Sequence, residues 1–300
     1  MSIHSQNKKN AEIIGVSSLS EENTIKSRFK DGHAPALKRP KGRERLSESR
    51  DLRPAPVEKP SDFRLIKNAE IIGVFSKAVS LEADGKVYLF HDKKWGYVPF
   101  GIAVENIEDF IRERNFEVGK SVEIEIPEPK KAIFHTAEKI SEKRIAEIEK
   151  IIAESGSPDG IIGYYNQFDS VKANVDALFK ALCENRCADE YAVKLIGLGR
   201  GLTPSGDDFL SGMFSLFFAA GYDVSSIAKA VRNNLTRTSK ISGAYLSAVL
   251  EKEHFTIYEN AVKAFFSDSA EYANAVLPLG ASSGTDTLCG ALFAAKVMIR

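Results

Sequence analysis

The chain has 300 residues, 43% of them hydrophobic and 9% aromatic, an ordinary globular composition for one large or two small domains. Lys plus Arg and Asp plus Glu both number 41, so the chain as a whole carries no polyanion-binding charge, and no run approaches the ~20 apolar residues that span a bilayer. Cys183, Cys187 and Cys289 are too few and too scattered for a disulfide framework, the histidines show no paired spacing for zinc, and no signal-type segment follows Met1. A cytoplasmic protein without nucleic-acid or membrane partners is expected.

Residues 1–66 are expected to form a disordered basic tail. Residues 1–60 hold 13 Lys or Arg against 8 Asp or Glu, leaving 28 against 33 in the remainder. Such a segment buries too little apolar surface to offset chain entropy. Within it, Lys9-Asn10-Ala11-Glu12-Ile13-Ile14-Gly15-Val16 recurs residue for residue as Lys67-Asn68-Ala69-Glu70-Ile71-Ile72-Gly73-Val74. We read this as a duplication that leaves a spare strand upstream; a copy competing for one sheet position is the sharper alternative.

Residues 67–137 read as a β-rich domain. Strands are expected at Glu70–Val79, Lys86–His91, Tyr97–Val104 and Ser121–Ile126, with a short helix near Asn106–Arg112. Val122, Ile124 and Ile126 alternate with Glu123 and Glu125, the period of a half-buried strand. Residues 138–300 read as a helical domain. Helices are expected at 140–153, 168–186, 188–195, 206–220, 223–234, 238–252, 255–266 and 284–299, after a strand-like stretch at 160–165. The predicted fold class is α+β, a small β-rich domain followed by an all-helical one.

The densest motif is Gly197-Leu198-Gly199-Arg200-Gly201-Leu202-Thr203-Pro204-Ser205-Gly206-Asp207-Asp208. Alternating glycines permit positive φ, Thr203 or Ser205 can cap the next helix, and Pro204 suits a helix start. Ser205-Gly206-Asp207-Asp208-Phe209-Leu210-Ser211-Gly212 is echoed by Ser283-Gly284-Thr285-Asp286-Thr287-Leu288-Cys289-Gly290. A serine cap with an early aspartate is also a common helix start with no further role.

A glycine-rich helix start is an anion site by default, but this loop lacks a P-loop lysine and its aspartates repel phosphate. Three resolutions stand open. A divalent ion, Mg2+ above all, can bridge carboxylate and phosphate; an aspartate can act as a cap alone; or the ligand has both donor and acceptor faces, as a carbamoyl group does. Arg200 offers a planar donor fork. Asp207 and Asp208 are the candidate catalytic residues and the magnesium ligands if the ion is used. Gly199, Arg200, Gly201, Thr203, Ser205, Gly206, Ser283, Gly284, Asp286, Thr238 and Ser239 are candidate ligand-binding residues. His91, beside Asp92 and Trp95, is a weaker proton-shuttle candidate.

Residues 197–212 closely resemble the signature of the AllH-like family. Thr236–Ser242, Ser283-Gly284-Thr285-Asp286 and Val98-Pro99-Phe100-Gly101-Ile102 look like its secondary motifs, so that the resemblance covers about residues 69–300; Arg200 departs from the proline common at that point. Membership implies a subunit of oxamate carbamoyltransferase, a purine-catabolic enzyme moving a carbamoyl group between oxalurate and phosphate. It also implies an FdrA-like partner related to acyl-CoA synthetases and a further small subunit. A magnesium-dependent hydrolase of a phosphate or ADP-ribose ester, and a noncatalytic scaffold or sensor subunit, are the alternatives.

Overall fold

The computed structural model describes residues 63–127, 130–132 and 139–300. The tail and the octapeptide copy at 9–16 lie outside the described residues. The architecture is α+β, as the sequence predicts: a strand-rich half-barrel followed by helices.

The strands are β1 (Phe63–Phe75), β2 (Ala78–Ala83), β3 (Lys86–Asp92), β4 (Gly101–Val104) and β5 (Ser121–Pro127), in the order β4-β3-β2-β1-β5. β4 runs parallel to β3, and the other pairs are antiparallel. The β2–β3 turn is Asp84-Gly85, both at positive φ (52° and 70°), the backbone of a type I′ hairpin, whose twist matches that of its strands. Residues 67–74 lie in β1, paired to β2 on one side and β5 on the other. Two expected strands need correction. Glu70–Val79 is interrupted at Ser76-Lys77, where β1 turns into β2 with Phe75 opposite Ala78. Of Tyr97–Val104 only residues 101–104 pair, because Gly96 sits at φ 72° and Gly101 N–H closes a turn onto Val98 O across Pro99, which has no N–H to give a ladder.

β2 and β3 are buried on both faces. Val79, Leu81, Tyr88 and Phe90 form a small core with Ile107 and Ile124, covered by α1 (Ile107–Arg114), whose first turn donates to the Asn106 side chain. Ala78, Leu89 and His91 alternate with these residues and are also buried.

The remaining helices are α2 (Glu142–Ser155), α3 (Ile161–Gln167), α4 (Asp169–Cys183), α5 (Asp189–Val193), α6 (Ser205–Ala219), α7 (Ser225–Arg232), α8 (Lys240–Leu250), α9 (Thr256–Phe266), α10 (Glu271–Val276) and α11 (Ser283–Met298). α6 and α11 are buried nearly all round, which fits their apolar and small residues on every face. The expected strand at 160–165 is α3. Gly160 bends the chain at φ 77°, and Ile161 N–H docks on Asp286 Oδ1 at 2.7 Å, so a tertiary contact overrides the local preference of two isoleucines and two tyrosines.

The β-rich region and the helices are joined by hydrogen bonds from main-chain amides. Tyr97 N–H donates to Thr256 Oγ1 at 2.8 Å, Thr256 N–H to Tyr97 O at 3.1 Å, and His254 N–H to Lys130 O at 2.7 Å. All described residues belong to one compact unit. Among them no helix is long and apolar enough to cross a membrane.

Candidate functional site

The two Ser-Gly-x-Asp segments meet. Their helices touch backbone to backbone at the glycines ending each motif: a Cβ on Gly212 would stand 2.0 Å from Thr287 O, and one on Gly290 1.9 Å from Phe209 O. Gly212 and Gly290 occupy matching motif positions, as do Thr287 and Phe209, so the crossing has the reciprocity of a local two-fold axis. The motifs' second residues behave alike. Gly206 lies under Leu195 O and Gly284 under Val276 O, each at 2.0 Å from the would-be Cβ.

The same reciprocity governs the acids. Asp208 takes a hydrogen bond from Ser283, the first residue of the other motif, and Asp286 takes one from Ser205. Thr203 Oγ1 and Ser283 Oγ stand 3.1 Å apart. At the third position, Asp207 Oδ1 accepts from Gly197 N–H at 2.9 Å, while Thr285 Oγ1 accepts from Ser157 N–H at 2.9 Å. Each helix start thus anchors an upstream loop by a backbone amide.

The three aspartates differ in what remains free. Asp207 is filled from within the chain: besides Gly197, Thr238 Oγ1 and Ser242 Oγ donate to its Oδ2 at 2.5 and 2.7 Å. Asp286 is also filled, by Ile161 N–H, Ser282 Oγ at 2.9 Å and Ser205; burial outweighs these bonds and pushes its carboxyl up to about 7. Asp208 is different. It is 5% exposed, and its Oδ2 has no hydrogen-bond partner. Burial, and then the neighbouring Asp286, hold its carboxyl well above the usual carboxylate range.

Asp208 borders a cavity of about 90 Å³ between the sheet and the helices. One wall is sheet and its following turn (Ala78, Leu89, Trp95, Val98), another is α8 and α9 with Tyr245 and Tyr258, and Thr203, Ser283 and Gly280 flank Asp208. Burial raises both tyrosine hydroxyls, with Asp208 reinforcing the effect, so both stay protonated. His91 stacks on Trp95 with ring centroids 5.7 Å apart. Its Nδ1 lies 3.0 Å from Asp92 O, and burial lowers its pKa, favouring the neutral ring.

The glycine loop wraps over the start of α6. Gly197, Gly199 and Gly201 adopt φ of 74°, 117° and 102°; a Cβ on Gly199 would lie 2.8 Å from Ser205 N, whereas one on Gly201 would meet open space. The helix-start amides are largely spent within the chain, Gly206 N–H on Leu198 O and those of Asp207 and Asp208 on Pro204 O. That leaves less for an anion at the α6 terminus than the sequence alone suggests. Ser239 Oγ donates to Leu202 O at 2.9 Å and caps α8 through Ser242 N–H, so Thr238 and Ser239 brace the loop and its aspartate. They also line a broad cleft of about 760 Å³ between sheet and α8, which Arg64, Lys86 and Lys240 border together with Glu82, Glu251 and Glu253. Arg200 is exposed on the loop. Among the described residues no cluster of three or more His, Cys, Asp or Glu is placed to hold a metal ion.

Sequence reasoning missed Trp95, Tyr245, Tyr258, Ile257 and Leu279 as cavity residues. They come from distant segments, and their only signal is that of ordinary core aromatics and aliphatics.

Residues 195–295 match the family model of oxamate carbamoyltransferase subunit AllH, which makes this part of the chain AllH-like, in line with its motifs. No curated protein and no solved structure matches the chain. The matched span takes in the glycine loop, both Ser-Gly-x-Asp starts and the Thr238–Ser242 brace; the sheet wall of the cavity lies outside it.

Proposed function

Because residues 195–295 are AllH-like, we propose that this chain is the AllH-type subunit of an oxamate carbamoyltransferase-like complex, with its ligand site where the two Ser-Gly-x-Asp helix starts converge. The observation that carries the placement is the unpartnered Oδ2 of Asp208 at the border of a cavity. A buried polar atom without a partner costs on the order of 1–3 kcal/mol, and a fold keeps such a cost where a ligand relieves it. Asp207 and Asp286 serve as fixtures: both are filled by the chain's own donors, and both hold loops that shape the site. The reaction takes phosphate oxygen onto the carbamoyl carbon of oxalurate, breaks the bond from that carbon to the amide nitrogen, and leaves a proton on that nitrogen, giving oxamate and carbamoyl phosphate. Orientation and exclusion of water are what this chain's buried site contributes, the partner subunits supplying the remaining contacts.

The test is reconstitution. The chain is produced with an FdrA-like subunit and a small third subunit, and carbamoyl phosphate formed from oxalurate and phosphate is measured. Formation that requires this chain, and that falls by roughly a hundredfold or more in Asp208→Leu, supports the reading. Equal formation without the chain, or unchanged formation in the variant, overturns it. Dependence on added magnesium with a phosphate ester as the better substrate would turn the assignment to a metal-dependent hydrolase.

A further inference from the structure

The polarity of the Asp208 cavity restricts which part of a ligand enters it. Its lining is apolar on most sides, with Ala78, Leu89, Val98, Ile241, Ile257 and Leu279 among the wall residues, and among the described residues no lysine, arginine or histidine borders it. Its polar end holds an acid backed by a second buried acid, Asp286, whose charge raises the first. An anion entering there gives up its water and finds no cation in exchange, a costly situation for a buried charge. A group with N–H donors meets the opposite situation, since Asp208 Oδ2 lacks a partner. The Thr203 and Ser283 hydroxyls beside it rotate to donate or accept. A volume of about 90 Å³ admits a head group of a few heavy atoms and is well below the ~300 Å³ at which ordinary cofactor and drug-sized sites begin.

We infer that this cavity is a subsite for an uncharged primary amide or carbamoyl head group, whose NH2 donates to Asp208 Oδ2 and whose carbonyl oxygen accepts from the Thr203 hydroxyl, rotated onto the ligand, while Ser283 keeps its hydrogen bond to Asp208. The carboxylate or phosphate of any larger ligand stays outside it. The inference rests on the proposed carbamoyl-transfer reading for its biological substrate but not for its chemistry, because binding to the isolated chain needs neither partner subunits nor turnover.

The chain carries its own reporter. Trp95 is its single tryptophan and lines this cavity, so its emission registers occupancy. The full-length protein is titrated separately with acetamide, methyl carbamate, sodium acetate, inorganic phosphate and magnesium chloride. The expected result is a saturable change with acetamide and methyl carbamate and none with acetate, its charged isostere, or with phosphate or magnesium. Asp208→Leu removes the acceptor and an unpaired buried acid together and is expected to weaken amide binding by roughly tenfold or more. Should that variant fail to fold by circular dichroism, Thr203→Val carries the test, with an expected loss of about threefold or more. Equal or tighter binding of acetate or phosphate overturns the inference, as does a magnesium response, which would mark a cation site. Absence of any amide response, or unchanged amide affinity in the folded variant, overturns it too. Amide binding without carbamoyl transfer in the reconstituted complex would leave this subsite standing and remove only the functional reading.

Discussion

Gly290 stands so close to Phe209 that a Cβ would lie 1.9 Å from the phenylalanine's carbonyl oxygen, and Gly212 stands in the same relation to Thr287 at 2.0 Å. This reciprocal contact brings the starts of α6 and α11 together, and the contacted atoms are backbone that cannot swing aside. Gly212→Ala and Gly290→Ala should therefore each cost about 3 kcal/mol or more, at or beyond the upper range of overpacking effects. Gly221→Ala is the control. Its φ is 69° with nothing within 4 Å, so only left-handed strain applies, about 1 kcal/mol. Urea unfolding of the three variants checks this; a Gly290→Ala variant no worse than Gly221→Ala would remove the tight crossing as the organiser of the site.

Asp207 and Asp208 are neighbours with opposite expected phenotypes. Asp207→Ala strips the acceptor from Gly197 N–H, Thr238 Oγ1 and Ser242 Oγ. It should destabilise by about 2–4 kcal/mol, since three donors lose a buried partner. Asp207→Asn keeps an acceptor for Gly197 and can donate to the two hydroxyls, so the loss should be smaller. Asp208→Leu removes an unpartnered buried oxygen and should leave the melting temperature equal or higher. Thermal melts of the three variants decide; an Asp208→Leu variant as damaged as Asp207→Ala would make Asp208 a structural fixture as well.

Arg144 offers a test of how α2 is held. Its side chain is 6% exposed; Nε donates to Ala264 O at 2.6 Å, an NH2 group to Ser269 O at 2.7 Å, and the other to Glu147 at 3.0 Å. Arg144→Met preserves the apolar stem but orphans two carbonyls at the end of α9 and in the turn after it. The expected cost is about 2–4 kcal/mol, read from denaturant midpoints. Lys150, paired with Glu154 on the same helix at 3.8 Å and 73% exposed, should change stability by less than about 0.5 kcal/mol on mutation to Ala.

What the sequence made legible was local. The helix starts at Ser205 and Ser283, their echo, and the strands at Lys86 and Ser121 each announce themselves within about ten residues through caps, glycines and period. The convergence of the two starts was visible only as a repeated pattern, because the glycine contacts that enforce it join residues far apart in the chain. α3 was misread for the same reason. Ile161-Ile162-Gly163-Tyr164-Tyr165 favours a strand locally, and what makes it helical is Asp286, 125 residues away. The cavity was not legible either. Its sheet wall of Ala78, Leu89 and Trp95 comes from strands and a turn whose side chains carry no chemical motif, only the alternation that places them on the helix-facing side.

The acid pair gives the protein a stability profile that declines toward neutral pH. Asp286 is pushed up to about 7 in the folded chain from the ordinary 3.8, so between these values the folded state holds a proton that the unfolded state has released. The unfolded state then binds fewer protons, and stability falls as pH rises from about 4 to about 7, levelling off above that. Asp208 is shifted the same way. Half-buried Asp92 and exposed Asp223, whose carboxyls are lowered chiefly by backbone amides, act oppositely at acid pH, so the comparison must isolate the site. Asp286→Asn does so: it keeps an acceptor for Ile161 N–H and can donate its NH2 to the Ser205 and Ser282 hydroxyls. The stability of this variant relative to the parent should increase across pH 4 to 7 by up to roughly 4 kcal/mol, 1.36 kcal/mol for each pH unit of the shift, and stay constant above. Urea melts at half-unit pH intervals read the difference directly. A difference that does not vary with pH would mean that Asp286 is ionised throughout, and that the hydrogen bonds from Ile161, Ser205 and Ser282 outweigh its burial.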